Sequence, residues 1–285
     1  MRVRILFTIM TALAWASATA FTPAMAAENT WDQISKSGIY RIGVMPGRAP
    51  YMWQEKGSTE WDGFSIEMGR DVAKALENPN ALGRSVKVEY VSTTWATVVL
   101  DIQANKIDGF FGMSITEKRK KAISMYGPLY ALAHVYINAK GFNPGTTWES
   151  YSDPKIKVAV NMGTTDEDAI RKLSPKATVL AMKNSPESIL SVQSGNAQAL
   201  GTSILAGLNA IKKNPNFASP MIIPTPIQSL PSGGGTRRDG DGRFYTFMQG
   251  WAWATRNSGT AKMFILDSVA KAGLDPKAIP PQMKF

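Results

Sequence analysis

Apolar residues recur along this chain in two alternating rhythms, and the alternation predicts the architecture. Trp31 to Ser37 reads as a short opening helix and Tyr40–Val44 as a first strand. Phe64, Met68, Val72 and Leu76 then repeat every fourth position, which marks one buried helix face. Val86, Val88 and Tyr90 alternate as a half-buried strand does; Trp95–Ala104 reads as a helix turning Val98, Val99 and Ile102 inward, and Ile107–Phe111 as a further strand. The pattern breaks at Lys140-Gly141-Phe142-Asn143-Pro144-Gly145 and restarts with strand Ile156–Val160 and a turn at Gly163. A helix with Ser185 as cap, Pro186 at its first position and Gly195 past its end follows. Ala197–Gly201 is a weak strand and Ile204–Lys213 a helix ended by Asn214-Pro215. After Met221–Ile223, the Pro/Gly/Ser-rich stretch Pro224–Gly235 leads to two more helices, about Phe244–Ala254 and Ala261–Ala272, the latter closed by Gly273. Strands alternating with helices imply a parallel-rich α/β fold, here in two successive sets, with no internal sequence repeat.

Composition narrows this picture. Arg2 and Arg4 precede a mainly apolar stretch, Ile5–Ala20, and Ala24-Met25-Ala26 offers a small-residue cleavage site, so residues 1–26 read as a signal peptide. Its removal leaves 259 residues, enough for two lobes of an exported protein. The chain has no Cys, which excludes disulfides, thiolate nucleophiles and Cys-based metal centres. The formal charge of +10 is carried by scattered Lys and Arg. Its densest run, Lys118-Arg119-Lys120-Lys121, lacks the interleaved aromatics that stack bases, which argues against nucleic acid. His134 is the single His, sits in an apolar stretch and reads as structural; no cofactor or metal is expected.

Candidate chemistry lies at two strand exits. Gly112-Met113-Ser114-Ile115-Thr116-Glu117-Lys118-Arg119 follows the Ile107–Phe111 strand. Glycine and small hydroxyl residues there leave backbone N–H groups open, and Arg119 can add a planar fork of donors. Downstream, strand, Gly163 turn, Thr164-Thr165 and a helix start come in order, with Thr165 as cap and Asp168 as its capping-box partner. A helix start of this kind presents free N–H groups and a positive dipole end. Two such elements in different halves suggest one anionic group gripped from both sides. The loop Met45–Tyr51, with Arg48, leaves the first strand at the end where open α/β sheets place ligands.

Trp61-Asp62-Gly63-Phe64-Ser65-Ile66-Glu67-Met68, Lys106-Ile107-Asp108-Gly109, the Gly112–Arg119 run, Tyr126-Gly127-Pro128-Leu129-Tyr130 and Gly163-Thr164-Thr165 occur in an order that resembles the exported solute-binding proteins of ABC importers, in the family serving polar amino acids. The resemblance covers residues 30–273. It implies a two-lobe, type II periplasmic-binding-protein-like α/β fold whose ligand cleft lies between lobes joined by two crossing segments. Lobe one would be residues 28–135 plus 229–285 and lobe two 138–226. It further implies a ligand carboxylate clamped by Arg119 with help from Ser114 and Thr165, and Trp95 as a cleft wall. Gly112, Thr164, Arg48 and Ser203 complete the expected ligand-binding set. A small carboxylate-bearing solute, inner-membrane permease subunits as partners, a monomeric state and a periplasmic location follow from the same resemblance, without catalysis. Two departures stand out. The positions where the family places acids for the α-ammonium hold Met45 and Ser203, and Arg48 stands where a stacking aromatic is usual. That shifts the expected ligand from a common α-amino acid toward an organic anion. The rival readings are a periplasmic lyase or dehydratase on this scaffold, with Glu55, Glu60 or Asp166 as its acid, and an accessory protein docking to a dehydrogenase.

Overall fold

The computed structural model describes residues 28–285 apart from Pro215 and Ser219; the expected signal peptide lies outside the described residues. The first set of elements is α1 (Thr30–Ser37), β1 (Ile39–Val44), α2 (Phe64–Leu76), β2 (Lys87–Ser92), α3 (Val98–Gln103), β3 (Gly109–Ser114), α4 (Glu117–Ala122) and β4 (Ser124–Asn138). The second is β5 (Lys157–Asn161), α5 (Thr165–Leu173), β6 (Thr178–Met182), α6 (Ser185–Gln193), β7 (Ala199–Ser203) and α7 (Ile204–Lys213). The chain then returns through β8 (Ser229–Thr236) to α8 (Arg243–Asn257) and α9 (Thr260–Lys271).

Eight strands run in the order β2-β1-β3-β8-β4-β7-β5-β6. β1 is parallel to β2 and β3, and β5 is parallel to β6 and β7. Each half thus repeats one topology, three parallel strands with the first in the middle, although no sequence repeat announces it. β4 joins the halves. Its residues 124–133 pair antiparallel with β8, and from His134 onward it pairs with β7 instead. The second connection, through Ile222 and Gln228, runs beside it: Tyr136 bridges Ile222, and the His134 N–H donates to the Gln228 carbonyl. The fold is the expected two-lobe α/β arrangement.

Several elements differ from the expectation, each for a local reason. α3 starts at Val98 rather than Trp95, because Thr94 and Thr97 form a hydroxyl-linked turn that leaves Trp95 in the loop. The cap of α6 is Asn184, whose side-chain oxygen accepts from the Glu187 N–H, so Ser185 is its first residue. The Pro/Gly/Ser stretch is not all loop, since Ser229–Thr236 forms β8 in the middle of the sheet. Its glycines are there because neighbours press on them: a Cβ on Gly234 would overlap the Tyr126 hydroxyl and the Phe110 carbonyl. The core beneath lobe one's helices includes Phe64, Met68, Val72 and Leu76, the four-residue stripe, all fully buried. A second, separate cluster surrounds Tyr136 and Tyr151, stacked with ring centroids 3.7 Å apart.

Candidate functional site

The carboxyl ends of β1, β3, β5 and β7 converge where the two halves face each other, the position at which open α/β sheets leave a crevice. A cavity of about 40 Å3 sits there. Arg48 and Tyr51 enter it from the loop after β1, Gly112 and Ser114 from β3, Arg119 from α4 and Trp95 from the loop before α3. Across from them stand Thr164, Thr165 and Asp166 at the start of α5, Ser203 at the end of β7, and His134 on β4. The two sides touch. Tyr51 and Ser203 share a hydrogen bond of 3.2 Å between hydroxyls, and Ser114 and Thr165 one of 3.3 Å. Gly163 packs on the Trp95 backbone so closely that a Cβ would meet the Trp95 carbonyl at 2.8 Å.

The α5 start shows how sequence prepares such a surface. Thr164, not Thr165, is the cap: its hydroxyl accepts from the Glu167 N–H, and the Glu167 carboxylate accepts from the Gly163 N–H at 2.8 Å. The capping box is therefore Thr164–Glu167 rather than Thr165–Asp168. That frees the Thr165 side chain to face Ser114.

Electrostatics inside the cavity are lopsided. Arg119 is only 7% exposed, while Lys118, Lys120 and Lys121 around it are exposed. Its Nη1 donates to the Ser114 carbonyl at 2.9 Å, and its guanidinium lies 5.4 Å from the Trp95 ring centroid. Burial nevertheless lowers its pKa to about 10, despite the raising effect of Asp168 and Asp166. Arg48 lies between aromatic rings, 4.5 Å from the Tyr51 centroid and 4.6 Å from the Trp95 centroid. Its Nη1 is enclosed and, among the described residues, has no hydrogen-bond partner. Burial holds its pKa below the ordinary arginine value as well. Two guanidinium groups thus meet at one indole. The acid lining this cavity is Asp166, and its Oδ1 lies 2.6 Å from His134 Nδ1.

All eight residues named from the sequence (Arg48, Trp95, Gly112, Ser114, Arg119, Thr164, Thr165 and Ser203) line this one cavity. Gly112 is not at a strand exit, however. It sits within β3 at a bulge against β8, with φ +79°, close under Tyr51 and Ser65. His134, read as structural, is buried and borders the cavity beside Asp166. Tyr51 was missed, although its place in the loop after β1 was a usable signal. Met45 is buried outside the lining, its N–H on the Met52 sulfur. Glu67 and Asp241 pair with Arg70 and Arg243, and Glu55 accepts from the Trp53 indole, so none of them lines the cavity. Trp251 is buried with its indole N–H on Asp71, and Trp253 is exposed. Among the described residues no cluster of His, Asp and Glu could hold a metal ion, and no helix is long and apolar enough to cross a membrane.

Known proteins resemble this chain in sequence and fold. The glutamine-binding protein of Geobacillus stearothermophilus is 27% identical over 199 residues, which is 69% of this chain and 72% of that protein. The histidine-binding periplasmic protein of Escherichia coli K12 is 25% identical over 208 residues, covering 70% and 75% of the two chains. Among solved structures, an ancestral amino acid-binding protein described as a precursor of cyclohexadienyl dehydratase superposes with a TM-score of 0.72 at 27% identity, over 85% of this chain and 99% of that one. A solute receptor for L-cysteine from Neisseria gonorrhoeae has the same fold, with a TM-score of 0.73 over 88% of this chain and 98% of that chain, at 23% identity. The family model that matches residues 40–220 takes in the strand ends and helix starts that build the cavity, and by it the chain belongs to the bacterial extracellular solute-binding proteins, family 3.

Proposed function

We propose that this protein is a periplasmic, monomeric solute-binding protein that captures a small carboxylate-bearing solute, an organic anion in preference to a common α-amino acid, and delivers it to the permease subunits of an ABC importer. The observation that carries this reading is the charge balance of the cavity. Arg119 and Arg48 converge on Trp95, and the lining acid, Asp166, is already engaged by His134. Two buried cations line the cavity against one occupied acid, with Asp168 acting on Arg119 from outside the lining; this balance favours an anion, because an unpaired buried charge is costly. A ligand ammonium would find neither an acid at Met45 nor one at Ser203.

Lobe one is assigned to residues 28–135 plus 229–285 and lobe two to 138–226. The contacts Tyr51–Ser203 and Ser114–Thr165 cross between them, so a ligand bridging the same groups favours the closed form over the open one. Among the described residues, Glu55 and Glu60 lie outside the cavity lining, and the lining carboxyl group, Asp166, is paired with His134.

The test is titration calorimetry of the purified protein against small carboxylates and amino acids. A carboxylate should bind, Arg119→Ala should abolish that binding with the fold intact, and Arg119→Lys should restore it poorly, since Lys lacks the planar fork. Unchanged affinity in Arg119→Ala would overturn the site. Binding of an L-amino acid with no response to anions would overturn the ligand class.

A further inference from the structure

Three side chains of the cavity wall keep nitrogen atoms open. Arg119 commits Nη1 to the Ser114 carbonyl, and His134 commits Nδ1 to Asp166. Among the described residues Arg119 Nη2, Arg48 Nη2 and His134 Nε2 have no hydrogen-bond partner, and unlike Arg48 Nη1 none of the three is enclosed. The two guanidinium groups lie over one indole, 4.6 and 5.4 Å from its centroid, so their separation cannot exceed those two distances taken together. Burial is the main cause of the lowered Arg119 pKa, and the like charge of Arg48 adds to it. Two planar forks held this close can each take a carboxylate of their own. The cavity of about 40 Å3 has room for roughly three or four waters at 10–15 Å3 each, which keeps the ligand to a few carbons.

His134 decides whether a second carboxylate is admitted. A carboxylate only accepts, so the Nδ1 facing Asp166 carries the hydrogen, and in the neutral ring Nε2 is a bare lone pair. A carboxylate beside that lone pair is repelled. A proton on Nε2 turns the same contact into a charge-assisted hydrogen bond. The titratable side chains around His134 in the cavity wall are Arg48, Tyr51, Arg119 and Asp166. Ser203 stands opposite it on β7, the second crossing segment (222–228) has no titratable side chain, and the charged residues of α7, Lys212 and Lys213, lie in its last turn. With His134 neutral, Arg48 and Arg119 outweigh Asp166 by one charge, which a monocarboxylate cancels. A dicarboxylate leaves one negative charge over, and a proton on His134 cancels it. Lys118 and Asp168, which border an adjoining space, offset each other.

We propose that the site selects short dicarboxylates and that each binds together with one proton: one carboxylate lies on Arg119, and the second between Arg48 and Nε2 of a protonated His134. This rests on the carboxylate-binding reading of Arg119, and the experiment separates the two.

The experiment is calorimetric titration of the untagged protein at pH 7 to 8.5, in two buffers of different ionisation enthalpy. The probes are malonate, succinate and glutarate beside propionate, butyrate and valerate. At least one diacid should bind more tightly than the monoacid of equal length and take up about one proton. Its affinity should fall by up to about tenfold per pH unit, because the bound form holds the extra proton. The monoacids should take up none. His134 is the chain's only His, so its imidazole resonances report on it directly; a diacid should move their titration to higher pH, and a monoacid should not. His134→Gln should remove both the proton uptake and the pH dependence. Diacid binding without proton uptake, uptake that persists in His134→Gln, or an imidazole titration that ignores the diacid overturns the proposal and leaves the carboxylate reading standing. Arg119-dependent binding of monoacids with no gain for diacids does the same. Failure of every acid to bind wild type overturns both.

Discussion

Arg119 keeps its charge where water is nearly excluded, and the cost shows in a pKa lowered to about 10. The folded value lies below the ordinary arginine value, so the unfolded chain holds this proton more tightly. The group therefore weakens the fold at neutral pH, and that effect fades as pH rises above about 10. Ligand binding has the opposite requirement, because a carboxylate needs the cation. Affinity for a monocarboxylate should stay level from neutral pH to about 9 and then decline as pH passes about 10. Calorimetry across pH 7 to 10.5 checks this, and a level profile to the top of that range would mean that the Arg119 guanidinium stays protonated throughout it. Arg119 was legible in the sequence as a candidate because an Arg after a small-residue strand exit has a specific chemical use, and it lines the cavity. The burial that separates it from Lys118, Lys120 and Lys121 was not, since all of them are basic and only the turn of α4 decides which one points inward. The pairing of His134 was not legible for the converse reason: its partner, Asp166, lies 32 positions away in sequence and meets it only in the folded chain.

At the level of elements, the periodic helices were the easiest to read. The stripe from Phe64 to Leu76 and the helix Ile204–Lys213 appear where the spacing places them. β8 was hidden because its composition, with three consecutive glycines, argues for a loop. Those glycines answer to neighbours that no local rule reveals. Gly234→Ala should cost about 1–3 kcal/mol through overpacking against Tyr126 and Phe110. Urea denaturation checks it, and a change below about 0.5 kcal/mol would mean the strand yields more easily than its packing suggests. The caps of α5 and α6 slipped by one residue for a related reason. Adjacent hydroxyl and amide residues such as Thr164-Thr165 and Asn184-Ser185 can each cap a helix, and backbone conformation chooses between them.

For the whole molecule, the contacts across the cavity predict how it moves. Gly163 lies against the Trp95 backbone with φ +79°, and only a residue without a Cβ fits. Ligand should reduce the radius of gyration of wild type in small-angle scattering, and Gly163→Val should hold the lobes apart and bind weakly. Identical wild-type profiles with and without a saturating carboxylate would exclude closure. The two-lobe plan was legible from the alternation of strands and helices, but the sharing of one strand was not, since it depends on where a fifteen-residue segment changes partners. That sharing reaches beyond movement. β4 gives its first ten residues to one half of the sheet and its last five to the other. If either half melted alone, the survivor would be left with a bare run of amides along its border, open to pairing with strangers. The fold thus ties the fate of the halves together, so that partial unfolding is penalised and the molecule is held to an all-or-none exchange between its native and denatured states.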